Sequence, residues 1–279
     1  MHGLWAAFHN ELSKYVRQKF PYVGIAAVIA VGILGGRAVR LGSDPASRLN
    51  GWQLVLQGSI AAVTSVIPLV ATIFGSVLVA SETAGGMYRN ILTRPISRTT
   101  FLSAKILFGF VYATLLLGAC AIVTVAETAL SYRFGPIADG QEIYYSFREM
   151  AGISLIAFLL TLAPLFALIS FGILVSTAAR SLTNAVAMGA IFLVATQPIA
   201  VSLDRWLDVR VWQWVFLSYL DSALKIANNA ASGFPDLRWF DGPVWQSELG
   251  LGLMVSGATI FVCLAISYII FLRRDLNFT

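Results

Sequence analysis

Few side chains in this sequence have the type and spacing to do chemistry, and those few are charged groups at the ends of apolar runs. The two histidines, His2 and His9, lie within the first ten residues. The two cysteines, Cys120 and Cys263, fall inside apolar stretches, where a thiol behaves as a small hydrophobe. The chain contains no His-Glu-x-x-His, no Cys-x-x-Cys and no Gly-x4-Gly-Lys-Ser/Thr phosphate loop, so no catalytic, metal or cofactor site is expected in it. The richest segment is Ser81–Lys105. It begins with an acid, Glu82, continues through Gly85 and Gly86, and carries Arg89, Arg94 and Arg98 before ending at Lys105. The paired glycines end one helix. Met87 to Leu92 forms a short helix, and Arg94, standing before Pro95, is held extended and stops it. Ile96 follows, and Ser97 or Thr99 caps the next helix. Arginines on a short helix between two long ones suit docking onto another protein, or the holding of anionic headgroups. Glu82 is expected to pair with a neighbouring arginine and hold the turn.

These groups need a scaffold, and composition says which kind. Hydrophobic residues make up 58% of the 279 and charged residues only 12%, half the share of an ordinary soluble domain at about 25%. Most of the chain must therefore face lipid or other buried helices. The formal charge of +5 does not point to nucleic acid, because the basic residues are scattered in short segments between apolar runs rather than forming one stripe. A helix needs about 20 residues to cross a hydrocarbon core about 30 Å thick. Six stretches qualify: Tyr22–Leu41, Leu54–Ala80, Ile106–Ala126, Ala151–Ala179, Ala185–Leu203 and Leu249–Leu272. Each must be helical, because lipid offers the backbone no partner. Residues 1–20 precede the first span without the pattern of a cleaved signal, and are expected to be retained. Leu4, Trp5, Phe8, Leu12, Tyr15, Val16 and Phe20 recur there at helical spacing, with Asn10, Glu11, Lys14, Arg17 and Gln18 largely between them. This predicts an amphipathic helix lying flat at the membrane surface.

The expected fold is thus all-α: a polytopic membrane protein with six transmembrane helices, an N-terminal interfacial helix, and short interfacial helices between spans five and six. That last segment, residues 204–248, holds five of the seven tryptophans, as a water–lipid boundary favours, and a Gly-Phe-Pro turn at Gly233 breaks it. Within the spans, Pro68, Pro164 and Pro198 each remove a backbone bond and should bend their helices. Gly32 and Gly36 form a GxxxG pair that permits close helix approach. Glu127 sits at the outer end of the third span, where it is either solvated or functional. Gly32, Gly36, Glu127 and Pro198 are the candidates for a translocation path or an interface. An even span count puts both termini on one side, and basic density makes that side cytoplasmic.

The segment from Glu82 through Gly85, Gly86 and Arg89–Leu92 to Arg94-Pro-Ile-Ser-Arg98 and Lys105 resembles the type-2 ABC transporter permease family. The N-terminal amphipathic helix, the Ser-Thr-Ala-Ala-Arg-Ser turn at Ser176–Ser181 and the ending Phe271-Leu-Arg-Arg-Asp275 resemble it too, so the likeness covers nearly the whole chain. It departs from some relatives in the short loop after the first span, which leaves no large extracellular domain. The resemblance implies one permease domain over residues 1–279, in the cell inner membrane. It implies pairing with a second permease copy or homologue around a central path, with the first span near that interface. It implies that 81–105 is a coupling loop docking a separate ATPase subunit, in which ATP and Mg are bound, and that the complex drives export. The missing phosphate loop agrees with a separate ATPase. Two other roles are open to such a chain: a non-transporting ABC membrane subunit that passes mechanical work to an envelope machine or assembly factor, and an ATPase-independent secondary transporter. The second would normally show repeats or several in-span charges.

Overall fold

A computed structural model describes residues 2–42, 49–84, 97–139, 142–207, 210–233 and 243–273. Among these, α1 is His2–Val16, α2 Phe20–Gly42, α3 Gly51–Thr64, α4 Val66–Ala84 and α5 Arg98–Ser131. A small hairpin follows, β1 Ile137–Asp139 and β2 Glu142–Tyr145. Then come α6 Phe147–Ala178, α7 Leu182–Leu207, two 3-10 turns at Val211–Trp214 and Phe216–Tyr219, α8 Ser222–Ala231 and α9 Pro243–Arg273. By length and composition four helices can each cross a membrane, α2, α5, α6 and α9. The count reaches six when α3 with α4, and the two halves of α7, are each one bent span. That agrees with the six expected runs. The hairpin is an addition to the all-helical expectation. Its strands are antiparallel, with Ala138 opposite Ile143, and Ile137 and Tyr145 are buried against the helices.

The expected second span, Leu54–Ala80, is not one straight helix. It breaks at Ser65, where α3 and α4 meet at 40°. Pro68 is the cause, although the break lies before it: Pro68 has no N–H for the carbonyl of Thr64, so the ladder fails one turn earlier. Thr64 Oγ1 and Ser65 Oγ turn back onto the carbonyls of Ile60 and Ala61, at 2.8 and 2.5 Å, which satisfies part of the opened end. Pro198 acts alike in α7, whose halves bend by 42° between Thr196 and Pro198. Pro164 instead lies inside the continuous helix α6.

Helix starts follow their capping chemistry. Asn50 and Gln53 form a reciprocal box on α3, and Ser146 and Glu149 do the same on α6. Asn50 Nδ2 also donates to the carbonyl of Ala231 at 2.8 Å, which ties the start of α3 to the end of α8. The 204–248 segment lies deeper than expected. Trp206 and Trp214 are exposed as boundary residues should be, but Phe216, Leu217, Tyr219, Leu220, Leu224 and Ala227 are buried in the main core. The first part of the segment expected to form short interfacial helices is instead the pair of 3-10 turns, and α8 follows them. Gly233 has φ +79 and ends α8, whereas Phe234 and Pro235 lie outside the described residues.

A close backbone crossing joins α4 and α6. A Cβ added to Gly172 would stand 2.9 Å from the Cα of Gly75, so the two backbones touch without side chains between them. One turn further along, Ser176 Oγ accepts from the backbone N–H groups of Val79 (3.0 Å) and Ala80 (2.8 Å). Between lipid-facing helices, where burial of apolar surface gives no net drive, such contact and hydrogen bonding supply the adhesion. Gly172→Val should overpack this contact at a cost of about 1–3 kcal/mol. The expected result is a lower apparent unfolding temperature of the detergent-purified protein. Gly257→Ala, whose added Cβ meets nothing within 4 Å, should leave that temperature unchanged or raised.

Candidate functional site: a buried ion cluster at the base of the 81–105 loop

The helices flanking the 81–105 loop meet at the face of the bundle that carries α1. Gly85, Gly86, Arg89, Leu92, Arg94, Pro95 and Ile96 lie outside the described residues, so the structure bears on the two ends of that loop, Glu82 and Ser97–Lys105. Of the two expected caps, Ser97 is the one used. Its φ of −68 and ψ of 150 are extended, its Oγ accepts from Thr100 N at 3.1 Å, and Thr99 Oγ1 lies 2.9 Å from it. The next residues fasten α5 to the end of α9. Arg98 Nη1 donates to the carbonyl of Leu272 at 3.4 Å, Phe101 stacks on Phe271 with centroids 5.8 Å apart, and Ser103 Oγ lies 2.6 Å from Tyr268 Oη.

One turn deeper, four charged groups from three helices converge. Lys105 of α5 is fully buried. Its Nζ donates to Glu82 Oε1 of α4 at 2.9 Å and to Glu11 Oε2 of α1 at 3.1 Å. Lys14 of α1 donates to the same Glu82 oxygen, and the Phe101 ring lies 4.8 Å from Lys105 Nζ. Two lysines and two carboxylates make the cluster neutral, which a buried site requires. Among the described residues Glu82 is thus held by two lysines, and not by an arginine as expected, and its second oxygen, Oε2, takes no hydrogen bond.

An aromatic group seals the cluster on the membrane side. Tyr15 stacks on Phe108 at 4.9 Å and leans on Phe74 at 5.2 Å, and Phe74 stacks on Tyr112 at 3.9 Å. Burial, reinforced by the carboxylates of Glu11 and Glu82, pushes the Tyr15 phenol far above its usual pKa and keeps it neutral. These contacts correct the picture of α1. Leu4, Trp5, Leu12 and Val16 stay exposed, as a lipid-contacting stripe should. Ala7, Glu11 and Tyr15, at i, i+4 and i+8, form a second face that packs into the protein. Glu11 and Lys14 had the look of a solvated polar face. The signal that could have found them is Lys105, seven residues into a membrane helix with no water in reach and so in need of buried anions.

The other candidate residues lie elsewhere. Gly32 and Gly36 are buried inside the subunit, where Gly32 faces Thr124 of α5. A Cβ on Gly58 of α3 would stand 2.7 Å from the Gly32 carbonyl. Their GxxxG spacing therefore joins α2 to α3 and α5 of the same chain. Glu127 accepts from Arg37 Nε at 3.1 Å, a half-exposed pair at the opposite end of α2 and α5. Pro198 marks the bend in α7. None of these four residues touches the ion cluster. No group of three or more His, Cys, Asp or Glu among the described residues could hold a metal ion.

Lys105→Met removes the cation between two buried carboxylates, and breaking a buried pair in this way costs about 3–5 kcal/mol. We expect a sharp fall in folded yield and thermal stability. Adding Glu11→Gln, which removes one of the stranded charges, should restore part of the loss. A full wild-type yield for Lys105→Met alone would show that the cluster does not hold the fold.

Comparison with known proteins adds one finding. A family model described as ABC-2 family transporter protein matches residues 7–195, which takes in all four members of the ion cluster and the helices α2 to α6. No curated protein matches the chain. With most of its length matched and its helices apolar enough for several membrane crossings, the chain belongs to the ABC-2 family of transporter proteins, the multi-pass membrane permeases of ABC transporters.

Proposed function

We propose that this chain is a permease subunit that pairs with a second permease and docks a separate ATPase through the 81–105 loop, so that ATP binding and hydrolysis in the partner drive export. The observation that carries this reading is the anchoring of both ends of that loop. Glu82, at its start, is fixed to α1 and α5 through Lys14 and Lys105, and Arg98 and Phe101, towards its end, are fixed to α9. A partner that moves the loop must then move α4 and α5, and α1 with them. Coupling of this kind needs differential contacts in two states, and a loop on rigid anchors transmits them where a loosely tethered one would not. The resemblance supplies the docking role and the direction of transport. ATP and Mg belong to the partner, in keeping with the missing phosphate loop.

The orientation that goes with this reading puts α1, the loop and both termini in the cytoplasm and residues 204–248 outside, with the chain in the inner membrane. Asn229 and Ser97 are both exposed at opposite ends of the bundle, and the native Cys120 and Cys263 are buried, so background labelling should be low. A cysteine placed at Asn229 should react with a membrane-impermeant reagent in intact cells, and one at Ser97 only after permeabilisation. The reverse result overturns the orientation.

Docking is tested by Arg94→Ala/Arg98→Ala. Loss of charge from a partly buried protein contact costs about 2–5 kcal/mol, or about 30-fold or more in affinity. If the arginines only held headgroups, the loss would be about 1 kcal/mol each and six inserted spans would keep the chain in place. We expect normal membrane abundance with reduced co-purification of the ATPase. Unchanged co-purification and ATPase turnover would reject docking at this loop.

A further inference from the structure

A second basic feature on the α1-bearing face lies at the end of α9, apart from the ion cluster. A cleft of about 370 Å³ opens where α6 ends and α9 ends, lined by Thr177, Ala178, Arg180, Ile269, Ile270 and Arg273. Two arginines line it, and none of the described residues that line it carries a carboxylate. Neither Arg180 nor Arg273 has a hydrogen bond or an ion pair to the protein among the described residues, and both are exposed. Both helices present their C-terminal carbonyls here, each equivalent to about half a negative charge. Two full positive charges exceed that by about one unit, so the cleft favours an anion.

The walls say which kind of anion. Below Arg273, the residues Val262, Ile266 and Ile269 recur along one face of α9 at i, i+4 and i+7, and they are 50%, 39% and 52% exposed. This strip runs from the cleft into the membrane-crossing part of α9. A ligand that satisfies both parts has a negatively charged head and a hydrocarbon tail. A soluble acidic protein could meet the arginines but could not follow the strip to hydrocarbon depth.

We propose that this cleft binds an anionic phospholipid, its phosphate between Arg180 and Arg273 and one acyl chain along Val262, Ile266 and Ile269. Bound there, the lipid joins the α6–α7 turn to the end of α9, two parts of the chain that meet at this cleft. The site is independent of the ATPase docking proposed above, and its test uses the purified chain without any partner.

The experiment is lipid retention measured by native mass spectrometry, after purification from nanodiscs of phosphatidylcholine doped with phosphatidylglycerol. Wild type should keep phosphatidylglycerol in preference to phosphatidylcholine. Arg180→Gln/Arg273→Gln should lower that preference about 30-fold, from about 1 kcal/mol per arginine near a membrane surface and 1.4 kcal/mol per tenfold. Arg133→Gln, on the opposite face, should leave it unchanged. Because both arginines are exposed, the double variant should fold normally. Arg273→Glu alone should also lower the preference, which gives a second reading if the double variant expresses poorly. Equal retention by wild type and double variant overturns the proposal. Displacement of the lipid by inorganic phosphate at low concentration would show a free-anion site and overturn it too.

Discussion

Lys105 cannot reach water, and much of the α1-bearing half of the molecule follows from that. A lysine near the end of a membrane helix normally extends its ammonium to the interface. Here α1 covers that route, and Lys105 Nζ ends between two carboxylates on two other helices. An ammonium buried without partners would not stay charged, so Glu82 and Glu11 are conditions for this packing as much as additions to it. The arrangement also determines how α1 is attached. Charge and the Tyr15 ring hold it to the bundle, which leaves its most apolar residues, Leu4, Trp5, Leu12 and Val16, facing outward. One helix can then contact lipid on one side and the base of the 81–105 loop on the other.

The rest of the bundle depends on close backbone approach. Gly32 against Gly58 and Gly75 against Gly172 bring helices together at distances no side chain would allow. Two hydroxyls near these crossings add hydrogen bonds, Ser176 to the backbone of α4 and Ser59 to Thr124 at 3.3 Å. These contacts lie at intervals along the bundle, from the ion cluster at one end to the Arg37–Glu127 pair at the other. The segment between α7 and α9 adds a further layer at the far end, where α8 and the 3-10 turns fill the space beside the bend in α3 and α4.

The membrane helices were readable in the sequence because a lipid environment leaves a long apolar run one fold, and hydropathy reports it directly. Ser97 as a cap was readable from local chemistry, whereas Ser176–Ala178, in a segment whose likeness to the family suggested a turn, still belong to α6. The break at Ser65 was readable in cause but not in position, because proline acts on a carbonyl four residues back. The hairpin at 137–145 was missed, its strands being too short to show alternation. The ion cluster was missed because Glu11, Glu82 and Lys105 are far apart in the chain, and α1 presents two usable faces that one helical periodicity cannot rank. The same blindness applied to Gly32 and Gly36. Spacing shows that a close approach is possible, but not whether the partner is in the same subunit.

The Gly75–Gly172 crossing has one more consequence, which concerns leverage. Gly75 stands nine residues from each end of α4, so at 1.5 Å per residue the two arms are each about 14 Å long. With the backbones in contact, α4 has a fulcrum there with almost no compliance. A tilt that carries Ala84 one way carries Val66 the other way by the same amount, with a mechanical advantage near one. Val66 adjoins the break at Ser65, where the ladder is already open, so the far arm meets a joint and not a continuous rod. Any tilt of α4 about this contact would therefore be inverted between its two ends, and on the Ala84 side it would have to break the bonds from Val79 and Ala80 to Ser176.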